Sequence, residues 1–147
     1  MTASSPRAVM NSLIETCKDG ERGLLHAADL VKDPALKSFF TDTAHSRAEL
    51  ATQLLPHAQR FGGADTADGT TGASLHRKWM DIRSALSHHD DQAVIAEAER
   101  GDSITLLAFK SAIEGALPGN VRDLVERAYH EVAASHLRFA DLKGAAQ

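Results

Sequence analysis

Four polar residues interrupt runs whose apolar positions recur at helical spacing, and their types could do chemistry. Glu21 lies four residues after Cys17 and three before Leu24, and Arg47 lies four after Thr43 and three before Leu50. Asp102 lies four after Ala98 and four before Leu106, and His136 lies four after Val132 and three before Phe139, with Ser135 directly on the same stripe. Steps of three and four keep side chains on one face of a helix. Two carboxylates, a guanidinium and an imidazole are therefore directed toward one interior.

Two chemistries suit such a set. Helical bundles hold iron or manganese with a glutamate from each of two helices and a Glu-x-x-His pair from each of the other two. A ligand pool for iron, manganese or zinc would be Glu21, Glu99, Asp102, Glu131 and His136. The spacing opposes this reading, because Glu49 is followed three residues later by Thr52 and Glu131 by Ala134, so neither helix carries the paired ligand. Glu131 and His136 are five residues apart, roughly 140° around a helix at about 100° per residue. A cation such as Arg47 is also a poor neighbour for a divalent metal. The alternative is a core polar network without cofactor, in which Arg47 donates to both Glu21 and Asp102 because a lone buried charge is too unfavourable to leave unpaired.

Other residues carry weaker signals. His45 with Glu49, and His88 with His89, read as solvated surface, and Cys17 on the apolar stripe reads as inert packing. A tryptophan in Leu75-His76-Arg77-Lys78-Trp79 reads as a cover for the core. No nucleophile with a base nearby, no phosphate-cradling glycine loop and no nucleotide motif is visible.

The positioning elements are five helical segments. The first runs from about Pro6 to Val31 and stops at Lys32-Asp33-Pro34, where proline breaks the helix and Asp33 caps the next. The second carries Leu36, Phe40, Thr43, Arg47, Leu50, Leu54 and Phe61 on one stripe. Residues 62–73 are a Gly/Thr-rich flexible loop, and Ser74 caps a short third segment with Leu75, Trp79, Ile82 and Leu86 on one face. The fourth segment runs from Asp91 to about Leu117. Pro118-Gly119-Asn120 turns the chain, and Asn120 with Asp123 caps the fifth, which carries Val121, Val125, Ala128, Val132, Phe139 and Leu142. Glycines inside the first and fourth segments, Gly20, Gly23 and Gly101, each disfavour helix by about 1 kcal/mol relative to alanine, which close packing by a backbone or by a bulky group such as Trp79 would offset.

No strand pattern appears, so the expected class is all-α. A long bundle helix spans roughly 35 to 40 Å at about 1.5 Å per residue. The stretch between the second and fourth segments is long enough to travel that distance, giving a ferritin-like four-helix bundle with a long crossover containing a short extra helix. An up-down bundle is the other topology that fits. All 147 residues form a single domain, with residues 1–5 expected to be disordered.

Composition narrows the function. Hydrophobic residues at 43% and charged residues at 24% exclude wholesale disorder. A net charge of −4 gives no general attraction for nucleic acid or an anionic membrane. A lone cysteine excludes a disulfide framework and points to the cytoplasm, and no export signal or membrane span is visible.

Several stretches in order resemble a bacterial family known as domain of unknown function 2383, grouped with ferritin-like bundles. They are Cys17-Lys18-Asp19-Gly20-Glu21 followed by Gly23, Arg47-Ala48-Glu49-Leu50, Leu75-His76-Arg77-Lys78-Trp79, Glu99-Arg100-Gly101-Asp102 and the closing Ser135-His136 helix. Asp102 stands where the family motif usually has glutamate, which keeps the charge on a shorter arm. The resemblance implies a fold and no activity. The expected function is that of a non-enzymatic scaffold or interaction protein, linked to stress by the resemblance alone. It would act through a homodimer, hinted at by Leu124 and Leu137 on the flank of the fifth segment, or through a protein partner. The alternatives are a metal-binding ferritin-like protein and a small-molecule binder using the bundle interior.

Overall fold

The computed structural model describes residues 5–63, 90–115 and 117–145. Among them are four helices and no strand: α1 (Pro6–Leu30), α2 (Pro34–Arg60), α3 (Asp91–Ile113) and α4 (Gly119–Ala145). The short segment expected after Ser74, the Gly/Thr stretch from residue 64 onward, Trp79 and His88-His89 lie outside the described residues.

Local sequence sets most of the ends. Ser5 accepts a hydrogen bond from Ala8 N (3.1 Å), Asp33 from Ala35 N (3.1 Å) and Asp90 from Ala93 N (2.8 Å), and Pro6 and Pro34 take first-turn positions where no backbone donor is needed. Ser5, expected with the disordered start, is thus the cap of α1. Helix α2 ends in a glycine-dependent turn. Gly62 has φ +81°, its N–H meets Gln59 O at 3.0 Å, and Gly63 N–H meets Ala58 O at 2.9 Å, which satisfies carbonyls at the helix end. A Cβ on Gly63 would fall 2.6 Å from Asn11 Oδ1 and 3.2 Å from Ala58 O, so a larger residue there would require the Asn11 side chain to turn aside.

Two boundaries differ from the sequence reading. Helix α3 stops at Ile113 rather than near Leu117, because Gly115 weakens the helix and Pro118 disfavours helical geometry in the residue before it. Helix α4 begins at Gly119, with Arg122 N donating to Pro118 O (2.8 Å), so Asn120 is already inside the helix rather than capping it.

The apolar stripes bury as spaced, in two clusters at opposite ends of the bundle. One joins Met10 to Cys17 of α1, Leu50 to Ala58 of α2, Phe109 and Ala112 of α3, and Val121 to Val132 of α4. The other joins Leu24 to Val31, Leu36 to Ala44, Val94 to Ala98, and Phe139. This membership fixes direction. Helices α1 and α4 run one way and α2 and α3 the other, so α2 finishes at the end of the bundle opposite to the one where α3 starts. The connection from Gly63 to Asp90 therefore has to cross the length of the bundle, which excludes the simple up-down arrangement.

Among the described residues no helix is long and apolar enough to cross a membrane. A polar clasp holds the two helical pairs together at the end where α3 begins. Asp91 accepts Lys32 N at 2.9 Å on one carboxylate oxygen and Asp33 N at 3.0 Å on the other, tying the α1–α2 turn to the first turn of α3. Replacing Asp91 by alanine removes both acceptors and a favourable charge at a helix N-terminus. The expected loss is about 1 to 2 kcal/mol, read as a lower urea midpoint; an unchanged midpoint would show that the clasp carries no stability.

Candidate functional site

The gap between the two apolar clusters holds the polar residues. In α2 it falls between Ala44 and Leu50, in α3 between Ala98 and Phe109, and in α4 between Val132 and Phe139. Those intervals contain Arg47, Asp102 with Thr105, and Ser135 with His136. Gly20, Gly23 and Gly101 are buried in the same stretch of α1 and α3.

Arg47 is the largest fully buried side chain among the described residues, at 0% exposure. Its Nη2 donates to Asp102 Oδ1 at 3.0 Å and its Nε to the same oxygen at 3.3 Å; Asp102 is itself fully buried. Nη2 also donates to Ser135 Oγ at 2.7 Å, and Ser135 passes its own proton to Val132 O at 3.0 Å. Removed from water, a guanidinium and a carboxylate hold their charges only by pairing with each other. Satisfaction is incomplete. Arg47 Nη1 and Thr105 Oγ1, both buried, have no hydrogen-bond partner among the described residues.

The other oxygen of Asp102 belongs to His136. Oδ2 lies 3.0 Å from His136 Nδ1, and on the far side of the ring Nε2 lies 3.5 Å from Ser103 Oγ. Asp102 thus bridges a permanent cation on α2 to a titratable one on α4. The hydrogen bond to Asp102 raises the His136 pKa above the ordinary imidazole value, against the opposing effect of burial, with further support from the negative charges of Asp102 and Glu99. With Nδ1–H on Asp102, protonation at Nε2 adds a donor facing Ser103, whose own proton is committed to Glu99 O at 3.0 Å.

Asp102, His136 and Ser103 together repeat the residue types of an acyl-transfer triad, a juxtaposition that sequence reading missed because Ser103 and His136 are far apart in the chain. The geometry does not make Ser103 a nucleophile. Its proton points to a backbone carbonyl, its distance from the imidazole is long, and in mid-helix the neighbouring N–H groups are bonded within the helix, leaving none to stabilise an oxyanion. Cys17 is no better placed, since burial pushes its thiol up to about 12.

The remaining expected residues are placed apart from this network. Arg47 does not donate to Glu21, contrary to the expected pairing. Glu21 is half-buried beside Lys18, on a hollow of about 210 Å³ that α1 shares with Ala48, Ala51 and Thr52 of α2. Glu131 is exposed and accepts from Ser46 Oγ at 3.1 Å. Glu99 is half-buried, one turn before Asp102 and Ser103. Among the described residues no three His, Cys, Asp or Glu side chains come together as a metal-binding group. His45 is exposed, as expected.

The sequence model of a family described as a domain of unknown function (DUF2383) matches residues 7–115. The match takes in α1, α2 and α3 with Arg47 and Asp102, and ends before α4 with Ser135 and His136. A comparison with curated proteins returns no match.

Two outcomes follow from the network. Arg47→Met strands Asp102 in the core and should cost roughly 3 to 5 kcal/mol, whereas Arg47→Met with Asp102→Leu should recover most of that loss; urea unfolding of both variants checks this, and a double variant as weak as the single one contradicts it. For His136, a raised folded pKa means that its stabilising contribution is full below the unfolded imidazole value and is lost as pH rises through the folded value. Unfolding free energy of the wild type should therefore fall across that window relative to His136→Gln, and parallel pH profiles would contradict it.

Proposed function

The chain belongs to the family described as a domain of unknown function (DUF2383), and we propose that it is a non-enzymatic helical-bundle scaffold that acts through self-association or a protein partner in the cytoplasm. The observation that carries this reading is the fully buried Arg47–Asp102 pair in the interval between the two apolar clusters, where a ferritin-like di-metal protein would gather carboxylates around an ion. A fixed guanidinium there disfavours a divalent cation by charge. It also gives the bundle interior a single well-defined packing, which suits a scaffold that presents its outer face.

Leu107 of α3 and Leu137 of α4 stand 59% and 66% exposed, apolar groups available to a partner. Leu124, expected on the same flank as Leu137, is half-buried against the core. A link to stress physiology enters this reading only through the family resemblance. The second reading, a metal-binding protein, draws on the approach of His136 Nδ1 to Asp102 Oδ2, with Glu99 one turn away.

Light scattering across a concentration series, combined with metal analysis of untagged protein, tests the proposal. A dimer that weakens in Leu137→Asp, or a stable complex with a partner, together with no stoichiometric metal, is the expected result. A monomer carrying stoichiometric iron, manganese or zinc that is lost in His136→Ala would replace the scaffold with the metal-binding reading.

A further inference from the structure

Helices α2 and α4 approach each other least closely among neighbouring helices of the bundle, and a groove of about 380 Å³ opens between them. Asp42, Thr43 and Ser46 of α2 face Ser135 and Arg138 of α4 across it, with Phe39 at one side. The walls are held from behind. Phe39 meets Phe139 edge-on at 5.0 Å, Ser46 bonds to Glu131, and Ser135 is fixed by the buried Arg47.

Three of the four hydroxyls that line this groove have already given away their protons; the fourth, on exposed Ser38, can turn to donate or to accept. Thr43 Oγ1 donates to Phe39 O (2.8 Å), Ser46 Oγ to Glu131 Oε1 (3.1 Å) and Ser135 Oγ to Val132 O (3.0 Å). A hydroxyl has one proton and two lone pairs, so all three offer the groove acceptors only. Asp42, an exposed carboxylate, adds more acceptors. This wall is suited to a group that is all donor and positively charged, and a primary ammonium has three N–H bonds and no lone pair.

The opposite requirement comes from Arg138. Its guanidinium lies over the Phe39 ring at 5.3 Å, which orients it, and no carboxylate among the described residues pairs with it. A guanidinium presents a planar fork of donors that matches a carboxylate. Asp42 and Arg138 line the same groove without pairing with each other. A phosphate would meet Asp42 and three acceptor oxygens, and a simple amine would leave Arg138 unanswered. A molecule carrying both charges answers both.

We infer that the groove between α2 and α4 binds a small zwitterion of the amino-acid type, with its ammonium among Asp42, Thr43, Ser46 and Ser135, its carboxylate on Arg138 and its carbon chain against Phe39. The site lies on the flank of the bundle and is separate from the scaffold reading: a monomer could bind the ligand, and a dimer that binds none would leave that reading intact.

Proton–nitrogen correlation NMR of the full chain, titrated with glycine, gamma-aminobutyrate and epsilon-aminocaproate, tests the assignment across three charge separations. At least one of the three should give saturable shifts confined to the amino-terminal half of α2 and the carboxy-terminal half of α4. Its binding should weaken about ten-fold or more in Asp42→Asn and in Arg138→Gln, both exposed positions whose fold is checked in the same spectra. Caproate and hexylamine, each with one charge only, should bind correspondingly weakly. No saturable shift with any of the three zwitterions, equal binding by a single-charge analogue, or unchanged affinity in either variant would overturn the inference.

Discussion

A guanidinium cannot lose its charge and cannot leave this core, and that constraint organises the middle of the bundle. Arg47 is enclosed on all sides, so α3 must bring a carboxylate to it and α4 a hydroxyl. Asp102 then has one oxygen left over, and His136 takes it. Each partner comes from a different helix, so the network aligns α2, α3 and α4 axially: a one-turn slip of any of them would move its polar group into an apolar cluster. Buried ion pairs are poor sources of net stability. What this one supplies is registration, because the two clusters on either side would tolerate sliding far more readily than the charges would.

The helices around this network are unevenly spaced. α1 packs closely along α2 and carries buried glycines beside the polar interval, and α3 carries another. α2 and α4 stand further apart and are joined instead by discrete links: Arg47 to Ser135, Ser46 to Glu131, and the stacked rings of Phe40 and Phe139 at 5.8 Å. Separation on this side leaves a polar groove, and its chemistry is set partly by the core, since Ser135 serves both.

The fold was legible because its signals are periodic and local. Leu13, Cys17, Leu24 and Val31, or Phe40, Thr43, Leu50 and Leu54, repeat at steps a helix must bury together, and Pro34 and Asp33 mark a turn. Arg47 and Asp102 were legible for the same reason, each being the lone charge on an otherwise apolar stripe. Glu21 met the same spacing test and still failed to join, because a face about 100° wide includes flanking positions from which a side chain can turn outward. Ser103 and Asp91 carried no signal. Their partners, His136 and the Lys32–Asp33 backbone, are far away in sequence, and a polar residue on a helix flank is ordinary until the opposite helix is in place. The start of α4 was displaced by two residues, since Gly119 and Asn120 both suit a helix N-terminus.

The central claim is that Arg47 is a buried cation locked to Asp102, and its side-chain nitrogen resonances report on that most directly. Guanidinium protons in solvent exchange rapidly and rotate freely, so most of the chain's arginines should give averaged, exchange-broadened signals at neutral pH. One arginine is expected to show separately resolved, slowly exchanging Nε and Nη protons that lose their protection in Asp102→Asn. If no arginine shows such protection, or if the protected one persists unchanged in that variant, Arg47 is not held as described and the organisation of the core around it is contradicted.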